Sequence, residues 1–347
     1  MVERATDFEQ GVLLPLRKQA PIQVVCIGGG TGLPLVLKGL ARRVGRQHDQ
    51  PRLQITAIVA MSDDGGSSGR LRRSRGSLPP GDVRNCLVAL ASRRSELSQL
   101  FQYRFDGASG LAGHAVGNLL IAALAELKGD FLEAVKVTAN LLNARGRVLP
   151  CTTAPVELSA QLADNTEVLG ERNIRRNRAK IVRVHLNPRH PPAADGILDA
   201  IAEADLISIC PGSLYSSILP NLLVAGIAPA LRQTRALRVL IANLMSEPGE
   251  TDQMDCVAHV RAVQGHAGPI LDAVLINGAP IREALLEKYA KRGSFPVTAD
   301  REELLKLGVL PIEANLLRRG VRIRHDSRRV TRSLLRLVRS QFLPQAS

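Results

Sequence analysis

The stretch Val24–Pro34, VVCIGGGTGLP, places the strongest constraint on how this chain folds. Its apolar, β-branched start predicts a buried strand, which three consecutive glycines end, and apolar residues from Leu33 to Leu40 then recur at helical spacing. Glycine permits close backbone approach to a ligand, and the free N–H groups of a first helical turn attract anions. The sequence therefore predicts a phosphate-binding turn formed by Gly28, Gly29, Gly30, Thr31 and Gly32.

This turn differs from two common nucleotide-binding motifs. It lacks the third glycine of the dinucleotide fingerprint, and no acidic residue closes a second strand about 20 positions later, which weakens an NAD interpretation. No Gly-Lys-Ser/Thr follows, so the turn is not a Walker A loop. A tight strand-to-helix turn without any ligand remains the alternative.

Length and cysteine usage are typical of a cytoplasmic α/β protein. The 347 residues can hold one large domain or two smaller ones, and 45% hydrophobic with 22% charged residues is ordinary for such a fold. The five cysteines are widely spaced and lack a Cys-x-x-Cys pair, which argues against a disulfide framework and a zinc site. No signal peptide or run of about 18 apolar residues is present, so we expect a cytoplasmic location.

The net charge of +14 is concentrated near the end of the chain. From Arg318 onwards there are nine arginines and one acid, Asp326, so this part supplies +8 of the total. Because the rest is only modestly basic, a nucleic-acid partner is not expected. Residues 328–347 predict a basic amphipathic tail, whose apolar side packs on the protein and whose arginines face water. Contact of this tail with a membrane surface or with nucleic acid is the alternative.

A second buried strand, Leu53–Met61, ends in the polar sequence SDDGGSSGR. Ligands of open α/β sheets bind at the carboxyl ends of strands. The pair Asp63 and Asp64 there can hold Mg²⁺ together with ligand phosphates, or accept hydrogen bonds from a ribose or sugar, whereas an Asx-turn is the purely structural alternative. Ser67, Ser68 and Arg70 complete the candidate loop.

Two further segments carry polar candidates. Asp82 is predicted to cap a helix that runs to about residue 92, with Arg84 and Asn85 in its first turn. A cation there is unfavourable for the helix dipole, so Arg84 either faces an anion or is a solvated surface residue. His114 and Asn118 are four residues apart on one helix face, where they either line a pocket or satisfy a helix end.

Later strands repeat the pattern of a buried strand followed by polar residues. Leu206–Cys210 leads into Pro211–Ser217, and two more strands end in Asn243 and Asn277. Loops from five strands thus converge on one edge of the sheet, which predicts a single ligand site. Between them, residues of about 155–190 alternate as an antiparallel insert, and its arginine-rich run, 171–183, is predicted to be a solvated face.

These motifs together resemble one family, the YvcK-like gluconeogenesis factors of the superfamily that contains 2-phospho-L-lactate transferase CofD. The resemblance extends over about residues 22–330. It is carried by GGGTGL from Gly28, DDGGSSGRLR from Asp63, PGDVRN from Pro80, GHAVGNLL from Gly113, PGSLY from Pro211, PNLL from Pro220 and PGET from Pro248.

The resemblance implies a Rossmann-like, three-layer α/β sandwich with a mostly parallel sheet and a small antiparallel excursion. Its α/β domain would occupy residues 22–327, after an N-terminal extension of residues 1–21. It further implies a cytoplasmic protein that binds UDP-sugars, notably UDP-N-acetylglucosamine. Such a protein supports cell shape and envelope synthesis during growth on gluconeogenic carbon sources, and a homo-oligomer is expected.

The resemblance also implies additional site residues. They are Gly212, Ser213, Tyr215, Ser216, Asn221 and Asn243. Near the end, Arg324 and Tyr289 match nucleotide-sugar contacts of the family, and Ser327 stands where the family has a phosphorylatable Thr. Cys210 replaces the usual Gly before Pro-Gly-Ser, and Ser216 and Ser246 replace Thr; the hydroxyl replacements are conservative.

Two functions follow from these residues. The first is a regulatory protein that binds a nucleotide sugar, with the glycine turn at the diphosphate and Asp63 and Asn243 at ribose, base or sugar. The second is an enzyme, a Mg²⁺-dependent phospho- or nucleotidyl-type transferase of the CofD type, in which Asp63 and Asp64 hold the metal and Arg70 or Arg84 stabilises phosphoryl charge. No activated nucleophile stands at short spacing from a base, which favours binding over covalent chemistry. Catalytic residues are therefore not assigned.

Overall fold

The computed structural model describes residues 21–44, 52–91, 95–107, 110–177 and 179–342. The predicted N-terminal extension, apart from Pro21, and residues 343–347 of the predicted tail lie outside these ranges. In the described ranges, no helix has the length and apolar composition that crossing a membrane requires.

A seven-stranded, fully parallel sheet forms the centre of the protein, in the order β3-β2-β1-β7-β8-β9-β10. The strand order reverses between β1 and β7, as in doubly wound folds, where the crossover helices cover both faces. The strands are β1 (Ile22–Gly28), β2 (Leu53–Val59), β3 (Arg147–Pro150), β4 (Glu157–Leu162), β5 (Glu167–Leu169), β6 (Ile181–Asn187), β7 (Leu206–Ile209), β8 (Leu237–Ile241), β9 (Ala273–Asn277) and β10 (Leu310–Ala314). The predicted α/β class is confirmed.

Helices connect these strands and build the outer layers. They are α1 (Gly32–Ala41), α2 (Gly66–Arg75), α3 (Gly81–Leu90), α4 (Glu96–Gln102), α5 (Val116–Lys128), α6 (Phe131–Leu141), α7 (Glu171–Arg176), α8 (Ile197–Ala202), α9 (Leu219–Leu222), α10 (Ile227–Gln233), α11 (Cys256–Ala267), α12 (Glu283–Ala290), α13 (Arg301–Lys306) and α14 (Ser327–Phe342). A single π-helical turn, Leu214–Ile218, precedes α9.

The predicted antiparallel excursion is present as a small three-stranded sheet. Its order is β5-β4-β6, with β4 antiparallel to both neighbours. The short helix α7 follows β5 and lies between the two outer strands in the chain. Helix α7 is therefore part of the antiparallel insert and does not belong to the parallel core.

The C-terminal helix α14 packs against α1, the helix that follows the glycine turn. Its apolar residues Val330, Leu334 and Val338 are fully buried. Its exposed side is a row of arginines, namely Arg328, Arg332, Arg336 and Arg339. Burial of one face and solvation of the other explain why a segment with so many arginines folds against the protein.

Candidate functional site

A cleft of about 430 Å³ lies at the carboxyl ends of the parallel strands, close to the reversal of strand order between β1 and β7. This is the position at which open α/β sheets bind ligands. The residues that line the cleft come from the glycine turn, the loops after β2, β7 and β8, the first turn of α3, and α7. They are Gly30, Thr31, Ala60, Asp63, Asp82, Glu171, Arg175, Ser213, Ser216, Ser217, Glu247 and Pro248.

The glycine turn packs tightly against the loop that follows β7. A Cβ atom on Gly32 would lie 1.6 Å from the carbonyl oxygen of Pro211, so only glycine fits there. The N-cap residue Thr31 makes no side-chain capping bond, and no acid occupies the first turn of α1. Because Pro34 has no N–H, the donors at the start of α1 that no side-chain cap occupies are the N–H groups of Gly32 and Leu33.

Asp82 lies directly over the glycine turn. Its carboxylate accepts the backbone N–H of Gly30 at 2.6 Å, and burial raises the pKa of Asp82 to about 6. The prediction that Asp82 caps its own helix is wrong, because α3 begins at Gly81 with Pro80 as the N-cap. The carboxylate turns toward the glycine turn instead, where a backbone donor needs a partner.

The two adjacent aspartates point in different directions. Asp63 lines the cleft and accepts the N–H of Gly65 at 2.8 Å, and burial raises its pKa. Asp64 accepts the N–H of Arg172 at 3.1 Å, which directs its carboxylate toward the antiparallel insert. Among the described residues, no group of three His, Cys, Asp or Glu side chains could hold a metal ion. A Mg²⁺ ion at Asp63 would therefore need ligand phosphates and water as its other partners.

The loop after β7 supplies three serines to the cleft and is held by neighbouring amides. Asn243 bonds both backbone groups of Gly212: it accepts the N–H at 3.1 Å and donates to the carbonyl at 2.9 Å. Asn221, fully buried, donates to the carbonyls of Ser217 at 2.8 Å and Gly28 at 3.2 Å. These predicted site residues thus shape the loop, and the side chains of Asn221 and Asn243 are not part of the cleft lining.

The same loop is anchored to two glutamates that are not among the predicted site residues. The hydroxyl of Ser213 donates to the Glu247 carboxylate, and the N–H groups of Tyr215 and Ser216 donate to Glu250 at 2.9 and 3.0 Å. Burial, followed by the nearby Glu247 charge, raises the pKa of Glu250 to about 7. Glu247 directly precedes the PGET motif and Glu250 is part of it, so this motif is the signal that could have found them.

The Tyr215 side chain is turned away from the cleft. It is 5% exposed, and its ring meets His266 edge to face at 6.4 Å between centroids. The neighbouring Ser216 lines the cleft, and its buried hydroxyl has no hydrogen-bond partner among the described residues.

The antiparallel insert contributes the remaining charged side chains. Glu171 and Arg175 of α7 line the cleft, 3.7 Å apart between Oε1 and Nη1. Burial, together with the charge of Asp63, raises the pKa of Glu171 to about 8. The prediction of a solvated face holds for Arg172, Arg175 and Arg176, which are all exposed, but Arg175 also lines the cleft, which was not predicted. Spacing gave no signal here, because only the fold of the small sheet brings α7 over the cleft.

The lining is more acidic than the sequence motifs indicated. Asp63, Asp82, Glu171 and Glu247 face a single guanidinium, that of Arg175. Carboxylates repel a diphosphate unless they are protonated or neutralised by a cation, but they are good acceptors for the hydroxyl groups of a ribose or a sugar.

The remaining candidates, from α2, α3, α5 and the turn before α5, lie outside the cleft lining. The prediction that His114 and Asn118 share one helix face is wrong, because α5 begins at Val116 and His114 precedes it. Ser67 bonds both His114, at 3.0 Å to Nδ1, and Asn118, at 3.0 Å from Nδ2. Ser68 accepts the N–H of Gly81 at 3.1 Å. Arg70 donates to the carbonyl of Ala112, and Asn85 accepts from the Arg84 guanidinium at 2.7 Å.

The three candidates from the last part of the chain also lie outside the lining. The Tyr289 hydroxyl accepts the N–H of Ile323 at 3.2 Å and packs in a small apolar cluster with Leu244 and Met245. Arg324 is exposed, and Ser327 begins α14. Their roles in ligand contact and phosphorylation stay predictions.

Comparison with known proteins places this architecture in a family. Residues 24–317 match the model of the family described as 2-phospho-L-lactate transferase CofD. The gluconeogenesis factor of Halalkalibacterium halodurans is 44% identical over 315 residues, covering 90% of this chain and 95% of the relative. That of Bacillus subtilis is 40% identical over 319 residues, covering 91% and 98%.

A crystal structure of a Bacillus halodurans protein has the same fold. It superposes with a TM-score of 0.86 at 43% identity and covers 91% of this chain and 99% of that one. The chain therefore belongs to the CofD family, as a homologue of the bacterial gluconeogenesis factors.

Proposed function

We propose that the cleft binds a nucleotide sugar, UDP-N-acetylglucosamine, and that the protein is a regulatory gluconeogenesis factor. In this role it supports cell morphogenesis and envelope synthesis during growth on gluconeogenic carbon sources. The observation that carries the proposal is the meeting of two loops at the reversal of strand order. There the uncapped start of α1 faces the serines of the loop after β7.

The chemistry of the lining matches the parts of such a ligand. The free N–H groups at the start of α1, with Arg175 opposite, suit the diphosphate. The carboxylates of Asp63 and Glu247 suit the hydroxyl groups of ribose and sugar, and the unpartnered Ser216 hydroxyl gains a partner. Since the cleft has four carboxylates, we expect Mg²⁺ to strengthen binding by neutralising part of this charge.

Calorimetric titration of the full chain with UDP-N-acetylglucosamine, with and without Mg²⁺, tests this proposal. Asp63→Asn should weaken binding by about tenfold or more, the usual effect of losing a hydrogen bond to a charged group, and should remove most of the Mg²⁺ effect. Asp199→Asn is the matched control, because Asp199 is exposed on α8 and lies outside the lining. Absence of binding under both conditions would refute the proposal.

The family model favours a second candidate, a Mg²⁺-dependent transferase of the CofD type. Asp63 would then hold the metal together with the phosphates of the substrate, and the start of α1 would bind developing phosphoryl charge. Following the same mixtures by ³¹P NMR separates the two. In these mixtures water is the acceptor, so Mg²⁺-dependent cleavage of the diphosphate by water supports the transferase, and binding that leaves the nucleotide sugar intact supports the regulator.

A further inference from the structure

Arg84 of α3 is a buried cation without a counter-ion. The residue is 4% exposed, and its Nε and Nη1 atoms have no hydrogen-bond partner in the described part of the chain. Nη2 donates to the amide oxygen of Asn85 at 2.7 Å. No described carboxylate forms an ion pair with it. A buried guanidinium with unused donors is costly, which indicates that a partner is missing.

Two further arginines lie near Arg84, and their charges are only partly opposed by that of Asp82. Burial, followed by the charge of Arg104, lowers the pKa of Arg84 to about 10. Burial, followed by the charges of Arg70 and Arg104, lowers the pKa of His114. Arg70 and Arg104 both reach the turn before His114, where they donate to the carbonyls of Ala112 and Gly113. We call Arg70, Arg84 and Arg104 the arginine cluster.

The N-terminus of helix α5 adds positive electrostatic potential beside the arginine cluster. Arg84 runs past the first turn of α5, where a Cβ atom on Gly117 would lie 2.8 Å from its Cδ. The N-cap Ala115 makes no side-chain capping bond, and the first turn of α5 contains no acid. The first N–H of α5, that of Val116, donates to the Tyr103 carbonyl at 3.0 Å, so the positive end of the helix dipole faces the arginine cluster with no acidic side chain in its own first turn.

The arginine cluster is separate from the cleft already described. None of its three residues is among the cleft-lining residues, although Asp82, two residues before Arg84, is. Asp82 is occupied by the N–H of Gly30. Arg70 and Arg104 are exposed and bond only main-chain carbonyls in the described structure, so both can turn toward an incoming anion.

We propose that the arginine cluster is a second ligand site, which binds a phosphate group. Planar guanidinium groups match phosphate oxygens in pairs, and three of them with a helix N-terminus form a concentrated phosphate site. The phosphate belongs either to a separate phosphorylated metabolite or to the far end of the ligand in the cleft. In both cases its oxygens accept the unused Nε and Nη1 donors of Arg84.

Calorimetric titration of the full chain with inorganic phosphate tests this site. We expect salt-dependent binding that Arg104→Gln weakens by about tenfold or more, because a charge-assisted hydrogen bond is lost. Arg319→Gln is the matched control, an exposed arginine away from the arginine cluster, and should bind phosphate as the unchanged chain does. No phosphate binding by the unchanged chain, or equal binding by the unchanged chain and Arg104→Gln, would overturn the proposal.

Two additions keep the outcome interpretable. Arg84→Lys tests the buried partner, and if that variant does not fold, Arg70→Gln replaces it with the same expected loss. Titrating UDP-N-acetylglucosamine into phosphate-saturated protein identifies the source: competition assigns the phosphate to the cleft ligand, and independent binding assigns it to a separate metabolite. If the chain binds phosphate but no nucleotide sugar, only the proposed function is refuted. If it binds the nucleotide sugar but no phosphate, only the second ligand site is refuted.

Discussion

The carboxylate of Asp82 accepts the backbone N–H of Gly30 at 2.6 Å, across 52 positions of the chain. This bond joins the start of α3 to the glycine turn and places a carboxylate where the sequence alone predicted a phosphate. A phosphate at this point must therefore displace Asp82 or bind when its carboxyl is protonated. The first N–H groups of α1 beyond Gly30 stay open to the ligand.

The buried carboxyls of the cleft should make the unliganded protein less stable as the pH rises from about 6.5 to about 8. In the folded protein the pKa of Glu171 is raised from 4.5 to about 8 and that of Glu250 from 4.5 to about 7. In this window the folded state binds more protons than the unfolded state, so the free energy of unfolding falls with increasing pH. Urea denaturation at a series of pH values measures this slope.

Glu171→Gln should flatten that slope, because the substituted side chain no longer titrates. The exposed Glu203→Gln is the control and should leave the slope unchanged. The window starts at about 6.5 because buried His325, whose pKa burial lowers to about 4, has the opposite effect between about 4 and 6.5. A free energy of unfolding that rises steadily from pH 6.5 to 8 would contradict the prediction.

Asn243→Ala should reduce both stability and ligand affinity. It removes the two bonds to Gly212 and leaves backbone groups without partners, at a cost of about 1–3 kcal/mol. Ser213, the next residue, then loses its fixed position in the cleft. Denaturation and nucleotide-sugar titration measure the two effects.

Asn277→Ala provides the matched comparison, since this asparagine ends β9 as Asn243 follows β8. It bonds the carbonyl of Ala279 at 2.7 Å and the N–H of Leu316 at 3.1 Å, outside the cleft. Its loss should lower stability by a similar amount without changing affinity. Equal losses of affinity in both variants would show that the Gly212 contact has no special role.

Gly32→Ala should prevent the glycine turn from closing on the loop after β7. The added methyl would overlap the Pro211 carbonyl, whereas an alanine at Gly265 of α11 meets nothing within 4 Å. Gly265→Ala should therefore stabilise the protein by about 0.5–1 kcal/mol through helix propensity. Thermal denaturation distinguishes them, and a Gly32→Ala variant as stable as the unchanged chain would mean that the two loops do not pack as described.

Leu334→Ala should detach or loosen α14 from α1. Leu334 is fully buried, and such a truncation costs about 2–5 kcal/mol. The exposed Arg332→Ala serves as control and should change stability by no more than about 0.5 kcal/mol. If urea denaturation shows equal stability for both variants, α14 does not contribute to the folded core.

Five of the seven parallel strands were predictable because each carries a local signal, whereas the short edge strands β3 and β10 were not predicted. A run of buried β-branched residues such as Val24–Ile27, followed by glycine, has few other structural solutions. The gathering of the Gly30, Asp63 and Ser213 loops followed from the same signals, since parallel strands deliver their carboxyl ends to one edge. The directions in which the loop side chains point could not be predicted from these signals. Asp63 and Asp64 are adjacent in the chain, yet one lines the cleft and the other bonds the insert.

The amino-acid sequence by itself determined the strand–turn–helix units, their order and the edge at which the polar loops meet, because hydrophobic periodicity and glycine act over a few residues. Only the tertiary structure decided which charges share a space. Glu171 and Arg175 reach the cleft through the small antiparallel sheet, and Arg84 is buried beside Arg104 by the packing of α3 on α5. Burial and the distance between charges set the pKa values and the binding preference of a site, and both depend on residues far apart in the chain.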